Sequence, residues 1–206
     1  MSTAAKIVSV SKNDGIPPRE RILVAASELF YWHGIRAVGV EAIAEAAKTN
    51  KMTLYRHFPS KDQLVAEYLR RLTDGAKEDW IRREAEHPGD PLGQVRAWLA
   101  EKAARVTNAD ERGCPLTNAA VELPEKDHPA RCVIEQYKTA QRDRLIALCA
   151  AAALDEPELL AEELFLLLEG ARVTAQSMRA PGLGERLVKM GERLINAHMI
   201  DKPRSV

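Results

Sequence analysis

Two short helical segments joined by only two residues constrain this chain more than any other feature. Residues 40–47 place Ile43, Ala44 and Ala47 on one small apolar face. Gly39 stands at the cap position, acceptable but weaker than Thr or Ser. Lys48 and Thr49 make a tight connection to a third segment, residues 51–57, opened by Asn50, a good N-cap. There Leu54 turns inward with Phe58, leaving Lys51, Thr53, Tyr55 and Arg56 at or near the outside. An earlier segment from Arg19 puts Ile22, Ala25, Ala26, Leu29 and Phe30 on one face. It ends at His33-Gly34, since glycine suits the left-handed position after a helix.

The rest of the chain continues the helical pattern. Ser60 can cap a long helix over residues 61–86, with Leu64, Tyr68 and Leu72 at helical spacing, stopped by His87-Pro88-Gly89. Further helices are expected over residues 91–107, from Pro115, and over 128–153, 156–179 and 183–199. Ala, Leu, Glu and Arg are plentiful, aromatics make up 5%, and few segments alternate in the manner of strands. The expected class is all-α. A length of 206 residues suits one or two domains. The expected division is a flexible arm (1–18), a three-helix helix-turn-helix domain (19–65) and a helical-bundle domain for ligand sensing and dimerisation (66–206).

Charge is distributed unevenly. The chain balances at 30 basic and 30 acidic residues, yet residues 1–61 hold nine Lys/Arg against five Asp/Glu. A basic head on an acidic body points to an anionic partner at the head. Cys114, Cys132 and Cys149 are odd in number and lack CxxC spacing, so neither a disulfide framework nor a zinc site is indicated. Reduced thiols in the cytosol are the simple reading. No apolar run approaches a membrane span, and residues 1–18 lack the apolar core of a secretory signal, so a cytoplasmic protein is expected.

A helix-turn-helix unit presents its last helix to the DNA major groove while the preceding helix braces it. The residues on that helix have suitable chemistry. Lys51 can reach a guanine edge or a phosphate, and Thr49, Asn50 and Thr53 offer donors and acceptors to bases or phosphates. Tyr55 has a hydroxyl for a phosphate oxygen. Lys61 sits at a helix start, where free N–H groups also favour an anion.

The stretch carrying Ala26, Leu29-Phe30, Gly34, Ile43-Ala44, Ala47, Thr53-Leu54-Tyr55, His57-Phe58 and Ser60-Lys61 resembles the TetR family of regulators in order and spacing. The resemblance implies a two-fold symmetric homodimer on a palindromic double-stranded operator. It further implies phosphate contacts from Tyr55 and Lys61, a groove-facing stretch from Thr49 to Thr53, and a backbone contact from His57. The chain departs from the family pattern at Lys48, which replaces the turn glycine, and at Thr49, which replaces an apolar residue. A non-glycine residue in a left-handed turn costs about 1–2 kcal/mol. Either the turn is shaped differently, or Lys48 offsets that cost through a phosphate contact.

The second half resembles the family more loosely. Arg112-Gly113-Cys114-Pro115-Leu116 with Asn118 and Glu122 is similar to a Gly-Cys-Pro pattern of one subgroup, and Leu168-Glu169-Gly170-Ala171 to its dimerisation helix. Apolar stripes run through Leu160, Leu164, Leu167, Leu168, Ala171, Ala175 and Met178, then Leu187, Met190 and Leu194. They serve either a four-helix dimer interface or the protomer's own core. A cavity for a small-molecule effector is expected among the helices of residues 91–176, with Trp98, Asn118, Glu122, Tyr137, Phe165 and Gln176 as candidates. Cys114, at a helix start, is either a stabilised thiolate or a cap residue that packs.

These features imply a repressor released from its operator by an effector, with no cofactor, no metal and no membrane partner. A rival is a helical small-molecule-binding protein or enzyme, in which Cys114 would converge with His128 or Glu122. No HExxH, phosphate loop or nucleotide fingerprint supports that rival, and an enzyme is not expected. A third possibility is a redox-switched regulator acting through Cys114.

Overall fold

A computed structural model describes residues 15–108, 112–178 and 180–199. The expected arm lies mostly outside the described residues. Nine helices and no strand occur among those described: α1 (Pro18–His33), α2 (Val40–Ala46), α3 (Lys51–His57), α4 (Lys61–Glu86), α5 (Pro91–Val106), α6 (Pro115–Glu122), α7 (Pro129–Ala151), α8 (Pro157–Ser177) and α9 (Leu183–Ala197). The protein is all-α and follows the periodicity of its sequence. Five of these helices begin with proline in the first turn, where its missing N–H has no partner to lose.

The chain divides into two compact units, and the division does not follow sequence order. The first gathers the described residues up to 77 with 114–137, and the second the described residues of 78–113 with those from 138 to 199. The helix-turn-helix segment therefore shares its unit with α6 and the start of α7.

In the first unit Ile22, Ala26, Phe30, Ile43, Leu54 and Phe58 form one buried cluster with Leu64 and Tyr68 of α4. Leu116 and Ala119 of α6 and Val133 and Ile134 of α7 close the same cluster. Gly34 ends α1, as expected, with φ 87° but an extended ψ of 153° in place of the left-handed helical turn, and its N–H donates to the Phe30 carbonyl at 3.1 Å. It also admits a close neighbour. A Cβ here would stand 3.1 Å from a Glu122 carboxylate oxygen, which accepts the Arg36 backbone N–H at 3.1 Å.

In the second unit Val95, Trp98, Leu99, Leu145, Leu160, Leu164, Leu168 and Ile195 make the core. Two missing side chains on α9 let it lie close against α5. A Cβ at Gly184 would meet Thr107 at 2.8 Å, and one at Gly191 would run into Leu99. Asp90 caps α5 by accepting the Gly93 N–H at 2.9 Å. His198, past the end of α9, is held between the Asp155 carbonyl (2.7 Å) and Glu163 (3.1 Å).

Candidate nucleic-acid interface

The face of α3 is open. Lys48, Asn50, Lys51, Tyr55 and Arg56 are exposed, and Thr49, Thr53, His57 and Lys61 are partly so. Only Leu54 of α3 is buried, at 0% exposure, pinning the helix to the head's core. Sequence reasoning passed over Met52, which is 85% exposed at the centre of this face. An apolar side chain of that size held out in water is suited to a thymine methyl or a sugar.

The two-residue connection is solved by backbone geometry. Lys48 is left-handed, φ 51°. Its N–H donates to the Glu45 carbonyl and the Thr49 N–H to the Ala44 carbonyl, both at 2.9 Å. This is the Schellman pattern, which satisfies the last carbonyls of α2 with a residue that is usually glycine. A second support comes from α1. Arg21 Nε donates to the Ala47 carbonyl at 3.1 Å, and Nη2 reaches the Lys48 carbonyl at 3.4 Å. The guanidinium thus caps the negative end of α2 where lysine has replaced glycine. Sequence pattern alone did not single out Arg21, because its partners are backbone atoms 26 and 27 residues away.

Two of the expected DNA contacts have duties inside the protein. Asn50 is the N-cap of α3, its Oδ1 accepting the Thr53 N–H at 2.9 Å. That oxygen is engaged, so Asn50 offers DNA chiefly its amide N–H groups. Lys51 pairs with Glu41 at 2.6 Å and lies 6.0 Å from the Tyr55 ring centroid. This hydrogen bond holds the Glu41 carboxyl below, and the Lys51 ammonium above, their ordinary values. Both groups are solvated, so the pair is a weak latch that a phosphate can replace.

His57 departs from the expected role in part. Its Nε2 is buried without a hydrogen-bond partner, so that edge of the ring does not face a duplex. Lys61 begins α4 behind Ser60, whose hydroxyl accepts the Gln63 N–H at 3.1 Å. Partial burial lowers the Lys61 ammonium from its ordinary value, with Asp62 and Glu122 opposing.

The effector candidates fall into two sets. Asn118 and Glu122 line a cleft in the first unit with Phe30, Tyr31, Ile35 and Tyr68, about 190 Å³ including its open mouth. That cleft involves α1, α4 and α6, whereas a cavity was expected among the helices of residues 91–176. Cys114 and Tyr137 pack against the same unit's core. Cys114 occupies the N-cap position of α6, but its side chain makes no capping hydrogen bond. In the second unit Trp98 is 1% exposed, Phe165 lies 5.6 Å below the Lys138 ammonium, and Gln176 is exposed with its amide 3.5 Å from the Arg112 carbonyl. The partners of the enzymatic rival are occupied structurally. His128 accepts the Ala130 N–H at 3.1 Å and faces Asp62 at 3.4 Å, while Glu122 holds Arg36.

The expected dimer residues also separate. Leu160, Leu164, Leu168, Ala171 and Leu187 are buried in the protomer's own core, so they are not on a surface a partner can touch. Leu167, Ala175 and Leu194 are half-buried, and Met178 and Met190 are exposed. The exposed apolar line of α8 is instead Leu159, Leu166 and Val173, spaced seven residues apart.

A short exposed helix, braced by another through a tight turn and pinned by one buried leucine, defines a helix-turn-helix unit, the arrangement that presents a helix to a DNA major groove. Residues 22–68 match the family model described as "Bacterial regulatory proteins, tetR family". Similar relatives are the HTH-type transcriptional regulator LmrA of Bacillus subtilis (strain 168), 32% identical over 127 residues, and the uncharacterized HTH-type transcriptional regulator YxaF of the same strain, 29% identical over 117. The matches span 58% and 56% of this chain but only 65% and 61% of those relatives' lengths. The crystal structure of SCO4454, a TetR-family transcriptional regulator from Streptomyces coelicolor, superposes with a TM-score of 0.81 at 26% identity, covering 88% of this chain and 95% of that one. No helix among the described residues is long and apolar enough to cross a membrane.

Proposed function

We propose that the protein is a cytoplasmic, homodimeric repressor that binds a palindromic operator through α3 and leaves it when a small-molecule effector binds. The open face from Lys48 to Arg56 carries this reading. Base reading falls to Thr49, Lys51, Met52 and Thr53, and phosphate binding to Lys48, Tyr55 and Lys61. The Gly113-Cys114-Pro115 run fits the subgroup its pattern resembles.

Two copies must hold their α3 helices about 34–36 Å apart to enter successive major grooves. The surface we assign to that pairing is the line Leu159, Leu166 and Val173 with Met190, beside Gly170, where a Cβ would meet open space. An effector that binds better to a dimer with the wrong separation weakens operator binding by linkage.

The test is titration of the purified protein onto its own upstream DNA at low salt. Tight, saturable binding is expected. Lys61→Ala should weaken binding to all duplexes and flatten the salt dependence. No binding at low salt overturns the proposal.

A further inference from the structure

The second unit buries hydrogen-bond donors that neither the DNA-binding face nor the core accounts for. Arg83 of α4 is 1% exposed. Its Nη2 donates to Glu101 of α5, and its guanidinium carbon lies 4.3 Å from the Trp80 ring centroid. Its Nε and Nη1 are nevertheless buried with no partner. On α5, Lys102 is buried and makes no ion pair among the described residues. Trp98, one turn earlier, has a buried Nε1 that is also unpartnered.

Every group left over here is a donor. The neighbouring acids are already engaged, Glu101 by Arg82 and Arg83, and Asp79 by Arg82 and Arg105. Burial, together with the nearby Arg105, Arg172 and Arg83, pushes the Lys102 ammonium down to about 8. Buried donors are nearly always paired. The missing partner must therefore be an acceptor, and amid this surplus of cations a negative one.

We infer that the interior of the second unit, where α4, α5 and α8 come together, is an oxyanion-binding site in which Arg83 and Lys102 receive the acidic group of the effector. Trp98 supplies an indole N–H from the same face of α5. The group is a carboxylate or a phosphate, since both accept from several donors at once. The site gives the effector of the proposed repressor a chemical class, and its regulatory meaning rests on that reading.

The experiment titrates the full chain at pH 7 with sodium benzoate and, separately, with sodium phosphate, at ionic strength matched by sodium chloride. Binding is read by calorimetry and by the shift in Tm. One of the two anions should bind saturably and raise Tm, and which one identifies the oxyanion. Lys102→Met should melt no lower than wild type, having lost a buried charge, while its affinity for that anion falls by about tenfold or more. Arg83→Lys should also weaken it. Saturable binding of neither anion overturns the inference, as does undiminished binding by Lys102→Met. A Lys102→Met protein that melts lower and ignores both anions marks a structural ion network and overturns it as well. Upstream DNA is titrated onto the same samples. Anion binding without DNA binding rejects the repressor and keeps the site, whereas DNA binding without anion binding rejects the site alone.

Discussion

Replacing Lys48 by glycine separates the two jobs this position holds. At φ 51° the Lys48 Cβ crowds the following carbonyl oxygen, at a cost of about 1–2 kcal/mol. Glycine lacks that strain but needs about 0.4–1 kcal/mol more to be ordered from the unfolded chain. The Schellman bonds are made by backbone N–H groups and survive the change. Lys48→Gly should therefore be more stable by about 0.5–1 kcal/mol, or about 1–4 °C in Tm for a chain of this size. The same change removes an exposed ammonium from the turn proposed to meet DNA. One fewer counterion is released, so the slope of log affinity against log salt flattens by about 0.9. Lys48→Ala is the control, keeping the Cβ and losing the charge. It should melt with wild type and share the flatter slope. Scanning calorimetry measures the first effect. Fluorescence anisotropy on an operator duplex between about 50 and 200 mM salt measures the second. Glycine melting below wild type refutes the strain, and unchanged slopes in both variants refute the phosphate contact.

Other consequences are as direct. Gly34→Ala meets both a φ of 87° and a carboxylate oxygen 3.1 Å from the new Cβ, and should lose about 2 kcal/mol in urea denaturation. Adding Glu122→Ala should restore only the contact part, and full recovery would show that φ costs nothing. Leu166→Lys should give a monomer in sedimentation with impaired operator binding, while Leu164→Lys should unfold the second unit; a Leu166→Lys dimer places the interface elsewhere. Lys102 titrates near 8 in the fold against an ordinary 10.5, so between those values the unfolded chain binds more protons. Its burial penalty is fully present below pH 8 and relieved as pH rises toward 10.5, by about 3 kcal/mol at most. Wild type should gain stability on Lys102→Met between pH 7 and 9.5, and parallel profiles refute the assignment.

The helix-turn-helix head was legible because its signals are local. Asn50, Ser60, Gly34 and Pro115 each act within four residues of where they stand, and each does so in the structure. Even the strained Lys48 could be named from its position after Ala47. The partners of Arg21, Glu122 and Arg83 were not legible, because they lie 26, 86 and 18 residues away. The sharing of one unit by the head and α6 was hidden for the same reason. Periodicity says that α6 has an apolar face and is silent on which helix covers it.

Helix α8 shows how a correct pattern can still misassign a surface. Its apolar residues cover more than one face, and a stripe that wide must serve two neighbours. Leu160, Leu164, Leu168 and Ala171 advance by four, four and three residues and hold one line, which the structure buries. Leu159, Leu166 and Val173 advance by seven and hold another, which it leaves in water. The sequence cannot say which line meets the protomer's own core, because both are equally apolar. Gly170 breaks the tie. It lies four residues after Leu166, on the exposed side, where nothing in the protomer requires a missing Cβ. A glycine costs a helix interior about 1 kcal/mol, and on this helix that cost is offset only if another backbone approaches it. Under the proposed pairing the approaching helix comes from a second protomer, and Gly170→Leu should then weaken the dimer while leaving the fold of the second unit intact.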